Sequence, residues 1–321
     1  KTQGNQNSQV GVPLAMFQLD ASYQAGVIEM GMSQFGEMAR LASIVAPQYA
    51  VMTNIGISHI ENLHTQDNIL REKLHITDGF GPDSILVLNG EDPMLAGLRG
   101  RLPFRTVFVG MQPWCDYRAT DLVSHDGTMD FTAQCPGMQV PVHLPVLGAH
   151  QVTNALAALA IADILHVDPQ AAAAALANYQ PLAMRQQVHH VDGITIIDDT
   201  YNASPDAMRS SVDVLCAYSG RHVAVLGDML ELGAYSEQAH FSCGEHAAQA
   251  GVDLLVTVGP AAAAIGEGAR SVCPQMACRH FETNREAAEY LRQALTAGDV
   301  VLVKGSRGMH MEEIISRLIS L

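Results

Sequence analysis

The chain has 321 residues, 48% of them apolar, and a formal net charge of −15. That length and apolar content suffice for two domains with separate cores, while the charge leaves no basic surface to displace phosphate counterions and so argues against a nucleic-acid binder. A nucleotide stays compatible, provided a metal and a few local cations meet its phosphates.

The opening stretch, KTQGNQNSQVGVP, is polar and lacks the apolar centre of a signal peptide. Residues 25–29 (AGVIE) read as a short strand ending in Glu29, and a helix is expected over 36–45, stopped before Pro47. Tyr49–Met52 is a second apolar strand, broken by Thr53-Asn54-Ile55-Gly56, with His59 and Glu61 just beyond. Helical spacing resumes near Asn68 and carries Lys73. Residues 84–88 form a third strand, followed by Asn89-Gly90-Glu91-Asp92-Pro93. Buried-type strands alternating with helices imply a parallel sheet, and its strand ends would bring Glu29, Asn54, His59, Asn89 and Asp92 to one edge.

From Arg105 to Leu147 apolar and polar residues alternate, and Asp126-Gly127 is a hairpin signal, so a small antiparallel patch is expected. Residues 148–167 read as an Ala- and Leu-rich helix, and Asp168-Pro169 opens another to Asn178. Tyr179–Arg185 is the boundary: the first domain is expected over 1–184 and the second over 185–321. Strands are then expected at 194–197, 223–226, 254–258 and 300–303, and helices at 204–218, 236–250 and 311–321. That is a second doubly wound, Rossmann-like domain. No run of about 18 uninterrupted apolar residues suggests a membrane span. The six cysteines form no CxxC pair, the pattern of free thiols in a reducing cytoplasm.

Glu29 and His59 are the types that hold Mg²⁺ or Mn²⁺ beside phosphate, although a His in a polar loop is also an ordinary hydrogen-bonding group. Lys73 reads three ways: a solvated helix lysine, an amine that meets phosphate, or one that takes up CO₂ as a carbamate and so shares a metal. No GxxxxGK[ST] phosphate loop and no GxGxxG is present. Asp198 and Asp199 could hold a ribose diol or an amine, or serve turn chemistry. Lys304 and Arg307 flank a Gly-Ser turn suited to a carboxylate, with surface charge as the bland reading. Arg185, in the linker, could reach a phosphate when the domains close.

Together these segments resemble the Mur ligases of bacterial cell-wall synthesis. Thr2-Gln3-Gly4-Asn5-Gln6-Asn7 with Gly11-Val12-Pro13 is similar to the family's TxGNxNNxxGVP segment. Glu29-Met30-Gly31 and Gly36-Glu37 resemble its E[ML]G and GE, and Asn54-Ile55-Gly56 with His59 and Glu61 its NIGxAHLE. Lys73 falls on its modified lysine. Gly148, His150, Asn154 and Ala155 fit GxHNxxNA. Asp198–Pro205 resembles DDSYNANP, and LGDMLELG (226–233) and VKGSR (303–307) complete the set. The chain departs from the pattern at Gln34, at Ala183-Met184 where Pro-Gly is usual, and at Ser204.

The resemblance implies an α/β protein: a mostly parallel-sheet central ATPase-like domain with a small antiparallel patch, followed by a Rossmann-like C-terminal domain. It also implies that Lys1 falls inside the central domain, so that the UDP-binding domain and phosphate loop of the family lie upstream. The implied reaction is ATP-driven amide formation through an acyl phosphate, and DDTYNASP and LGDMLELG favour D-Ala-D-Ala as the amine and UDP-N-acetylmuramoyl-tripeptide as its partner. By the same resemblance Glu29, His59 and a carbamylated Lys73 bind the metal ions. His150 and Asn154 lie toward adenine, Asp199 toward ribose, Arg185 toward phosphate, and Asn5 and Ser33 along the muramoyl-peptide. Tyr201, Asn202, Lys304, Ser306 and Arg307 fall to the dipeptide or the reacting carboxylate. A cytoplasmic monomer is expected. Two other readings stay open: another ligase of the superfamily, such as a folylpolyglutamate-type enzyme, or a non-catalytic fragment that binds nucleotide or peptide.

Overall fold

The computed structural model describes residues 2, 4, 6–125 and 127–320. Two compact units result. The first comprises Lys1–Thr120, Ala133–Val140 and Thr153–Ala172, and the second Asp121–Thr132, Pro141–Val152 and Ala173–Leu321.

The first half of the chain begins with α1 (Gly11–Met16), α2 (Glu37–Val45) and β1 (Tyr49–Met52), then α3 (Ile60–Leu63) and α4 (Gln66–Leu74). β2 (Ile85–Asn89), α5 (Pro93–Ala96) and β3 (Arg105–Gly110) follow, then the meander β4 (Tyr117–His125), β5 (Thr128–Cys135) and β6 (Met138–Leu144), and helices α6 (Ala149–Ile164) and α7 (Pro169–Leu176). One sheet carries these strands in the order β1-β2-β3-β4-β5-β6. β1, β2 and β3 pair in parallel, so the C-terminal ends of β1 and β2 emerge together. β2 is buried along Ile85–Leu88, as a strand covered on both faces must be. Gly36, in the left-handed region at φ 78°, leaves α2 without a side-chain cap, and the buried Glu72 of α4 accepts the Met38 N–H instead (2.9 Å).

Two expectations need correction. Residues 25–29 are not a strand: they are exposed apart from Ile28, and no sheet strand lies there among the described residues. Their backbone bonds locally, with Thr2 N–H donating to Val27 C=O (2.9 Å) and Gly31 N–H to Asn7 C=O (2.8 Å). A four-residue apolar run cannot reveal whether a partner strand exists beside it. The second correction concerns Arg105–Gly110, which joins the parallel sheet through β2 and leaves only the hairpins beyond it antiparallel. The Asp126 half of the hairpin turn lies outside the described residues; Gly127 adopts φ 78°.

The second half contains β7 (Gln187–Val191), β8 (Ile194–Asp199), α8 (Pro205–Cys216), β9 (Arg221–Gly227), α9 (Ser236–Ala250) and β10 (Leu254–Val258). It ends with α10 (Ala263–Val272), β11 (Ala277–Phe281), α11 (Asn284–Ala294), β12 (Asp299–Lys304) and α12 (Glu312–Ile319). The strand order is β11-β10-β9-β12-β8-β7, parallel except for β7 against β8. β12 lies between β8 and β9, so Asp199 and Lys304, the last residues of β8 and β12, are register partners. Ser204 caps α8 by accepting the Ala207 N–H, with Pro205 at the first turn, so its departure from the family pattern still serves the helix. Helices α9 and α10 cross backbone to backbone: a Cβ on Gly244 would lie 1.8 Å from Ile265 O, and one on Gly268 1.9 Å from Phe241 O.

Candidate active site

In the first unit the site grows from the end of β1. Asn89, ending β2, donates its side-chain amide to Thr53 C=O (2.8 Å). Asp92 caps α5 by accepting from Met94 and Leu95 N–H (both 2.9 Å), and its other oxygen accepts from Ile55 N–H (2.7 Å). The loop is therefore pinned on either side of Asn54. The freed Asn54 carbonyl accepts from Lys73 Nζ at 2.8 Å. Burial lowers the Lys73 ammonium below the usual lysine range, and the Asp92 carboxylate offsets part of that shift. His59 stands at φ 61°, left-handed for an imidazole residue, where the loop enters α3.

His59, Lys73, Asn54 and Thr53 line one cavity of about 250 Å³, floored by methionines including Met38 and Met52. Met30 and Gly31 also line it. Glu29 itself is exposed, and its carboxylate accepts from the Asn7 side chain (2.9 Å). The structure thus brings His59 and Lys73 together and leaves Glu29 next to the cavity wall, turned to Asn7. Among the described residues no group of three or more His, Cys, Asp or Glu side chains stands ready to hold a metal ion. Mg²⁺ needs fewer protein ligands when phosphates and water complete its octahedron, so a glutamate and an imidazole remain chemically compatible with it. Ser33 gives both its N–H (2.7 Å) and its hydroxyl (3.3 Å) to Glu37, whose carboxyl these bonds hold below the usual range, chiefly through the backbone donor. Asn5 lies outside the described residues. Asn154 is exposed on α6.

In the second unit the strand ends of β8 and β12 meet. Lys304 Nζ donates to Asp199 Oδ2 (2.6 Å) and to Asn202 C=O (3.0 Å), and Ser211 of α8 donates to the same carboxylate oxygen (2.6 Å). Asp199 Oδ1 accepts from Gln186 N–H (3.2 Å). Both charges are buried, at 7% and 4% exposure, so this is an internal ion pair and not a surface one. Asp198, also buried, accepts from Thr200 N–H and hydroxyl, the turn chemistry foreseen as one alternative. His150 sits within 3.4 Å of the Gln186 side-chain amide, and burial lowers its pKa.

Arg185 lays its guanidinium 4.2 Å from the Tyr201 ring centroid. Its neighbours Met184 (φ 62°) and Gln186 (φ 55°) are both left-handed. Met184 C=O accepts from Tyr201 N–H (3.0 Å), and its sulfur lies 3.5 Å from Arg307 Nη1. Here the unusual Ala183-Met184 dipeptide has a physical consequence, because a Cβ in this region costs about 1 kcal/mol that glycine avoids. We expect Met184→Gly to raise stability by up to roughly 0.5 kcal/mol, the strain relieved less the greater freedom of unfolded glycine. The urea midpoint measures it, and a lowered midpoint would mean that the Arg307 contact matters more than the backbone strain.

Arg307 also pairs with Glu312 (3.0 Å), and Ser306 accepts from Leu230 N–H (2.9 Å). Sequence reasoning missed Ser211 and His240. Ser211 carried a faint signal, sitting among Met208, Val212 and Leu215 on the buried face of α8; His240, fully buried in α9, carried none.

The Mur ligase middle domain matches residues 1–162, and the Mur ligase glutamate ligase domain matches residues 184–307. The UDP-N-acetylmuramoyl-tripeptide–D-alanyl-D-alanine ligase of Bacillus subtilis is 34% identical over 99% of this chain, which spans 69% of that protein. The Escherichia coli protein of the same name is 32% identical over 99% of the chain and 70% of its own length. Among solved structures, MurF from Acinetobacter baumannii superposes with a TM-score of 0.92 at 31% identity, covering 100% of this chain and 70% of that one. MurF ligase from Thermotoga maritima, in complex with ADP, gives 0.85 at 28% identity over 99% and 72% of the two chains.

Proposed function

The chain belongs to the Mur ligase family, and from that premise we propose that it joins D-alanyl-D-alanine to UDP-N-acetylmuramoyl-tripeptide at the cost of ATP. The observation that carries this reading is the pairing of similarity to ligases of that name over 99% of this chain with a half-buried Lys73 amine that lines one cavity with His59 at a parallel strand end.

The chemistry runs in two transfers. The tripeptide carboxylate attacks the γ-phosphorus of ATP, and the acyl phosphate forms as ADP leaves. The free amine of the dipeptide then adds to the acyl carbon, and the tetrahedral intermediate collapses by expelling phosphate. Positioning and charge neutralisation do most of the work. Glu29 and His59 would hold Mg²⁺, with Lys73 contributing as its carbamate; the ion supplies neutralisation of the phosphate oxygens. His150 and Asn154 serve the adenine side, Arg185 the phosphates, and Ser33 and Asn5 the muramoyl-peptide.

For the second unit the geometry refines the roles. Asp199 has both oxygens engaged, so it supports the ribose side by fixing the loop that carries Tyr201 and Asn202. Lys304, held on Asp199 and Asn202 C=O, steadies that same loop, while Tyr201, Asn202, Ser306 and Arg307 face the dipeptide. A UDP-linked precursor made at the expense of ATP supports a cytoplasmic reaction. No described helix is long and apolar enough to cross a membrane.

The test is phosphate release by the full-length protein. We expect it only when the UDP-tripeptide and D-Ala-D-Ala are both present. Equal turnover with single amino acids would move the enzyme to another branch of the family, and binding of ATP without any turnover would favour the non-catalytic reading.

A further inference from the structure

His240 is fully buried, and both its ring nitrogens are committed. Nδ1 donates to Ser236 C=O at 2.7 Å, one turn earlier in α9. Nε2 accepts from the Met229 N–H at 2.8 Å. Only the neutral ring protonated at Nδ1 can do both. Met229 belongs to the strap that leaves β9, and the strap is tied onward. Leu230 N–H donates to Ser306 Oγ (2.9 Å), and Ser306 N–H donates to Asp228 C=O (3.0 Å). Asp228 Oδ1 accepts from Ala262 N–H (2.7 Å), anchoring the strap to the loop after β10. Glu231, directly after Leu230, is left-handed at φ 62°, so the strap is held in a conformation it would not choose alone.

We propose that His240 is a positioning residue for the amine substrate: it fixes Met229 and Leu230, and through them the Gly305–Arg307 turn that receives the dipeptide. The inference rests on the reading of Ser306 and Arg307 given above. A purely structural histidine would satisfy the same two backbone groups, yet its loss would not single out one substrate.

Two amide variants separate these roles. In His240→Gln the side-chain oxygen reaches the place of Nε2 and can still accept from Met229. In His240→Asn it reaches only the place of Nδ1, and the Met229 N–H loses its acceptor. We expect the Asn variant to raise KM for D-Ala-D-Ala about tenfold, the scale of one buried hydrogen bond, with KM for ATP within about twofold. The Gln variant should stay within about threefold of the native enzyme for both substrates. An Asn variant with native KM for the dipeptide, or equal rises for ATP and dipeptide in both variants, overturns the proposal. Should the Asn variant fail to fold, His240→Leu, which fills the buried site but offers Met229 N–H no acceptor, takes its place. A native dipeptide KM there overturns the proposal too, and a selective rise supports it. If the native enzyme shows no dipeptide-dependent phosphate release, the assigned reaction falls; if it does and the Asn variant matches it, His240 alone loses its role.

Discussion

Replacing Lys304 with methionine is expected to cost about 3–5 kcal/mol of stability, the scale for removing one partner of a buried ion pair. Methionine keeps most of the volume and packs without strain, so the loss is electrostatic. The Asp199 carboxylate stays buried with one hydroxyl, from Ser211, and one backbone N–H, from Gln186. Asn202 C=O loses its donor as well. For a unit of this size the melting temperature should fall by about 10 °C. The double variant Asp199→Asn with Lys304→Met removes the stranded charge; the amide oxygen still accepts from Gln186 N–H, and the amide NH2 donates to the Ser211 hydroxyl, which turns its own proton to Ala207 C=O (2.8 Å), so it should recover more than half of the loss. The thermal melts of the two variants decide the matter. If the double variant is no more stable than Lys304→Met, the charge on Asp199 is not what Lys304 compensates.

That ion pair also illustrates how far the sequence could be read. Buried parallel strands announce themselves as unbroken apolar runs, so Tyr49–Met52, Leu254–Val258 and the centre of β12 were legible. Strand ends carry polar residues, so Asn54, His59, Asp199 and Lys304 were marked as site candidates. β7 was missed because QVHHV is a half-exposed edge strand with histidines in its pattern, and β11 because ACRHF carries two polar residues, Arg279 and His280, at exposed positions. The run AGVIE failed in the opposite direction, since local composition carries no information about a neighbouring strand. Nor did it reveal that Asp199 and Lys304, 105 residues apart, would spend their charges on each other. Such pairing depends on strand order, which places β12 beside β8. His240 escaped notice for the same reason, because its meaning lies in a backbone N–H eleven residues earlier.

Substituting Lys73 by alanine should lower kcat about a thousandfold, equivalent to some 4 kcal/mol of lost transition-state stabilisation. The decisive question is the chemical form of the residue. As a free ammonium it would repel a divalent cation beside His59, whereas a carbamate would attract it. Formation of the carbamate needs the neutral amine, whose nitrogen bonds to CO₂ carbon as a proton leaves. Burial works in its favour by lowering the Lys73 pKa. The Asn54 carbonyl, 2.8 Å from Nζ, can accept the N–H that a carbamate retains. Alanine at this position enlarges the adjoining cavity of about 250 Å³ on the side that the modified chain would fill. Formate or acetate should therefore restore a measurable part of the activity to Lys73→Ala, and methylamine should not. Lys73→Arg, which keeps a positive charge but forms no stable carbamate, should be as inactive as the alanine variant. The reverse pattern, rescue by amines with activity retained in the arginine variant, would make Lys73 a phosphate-binding cation. In that case Glu29 and His59 would hold the metal with water and phosphate alone.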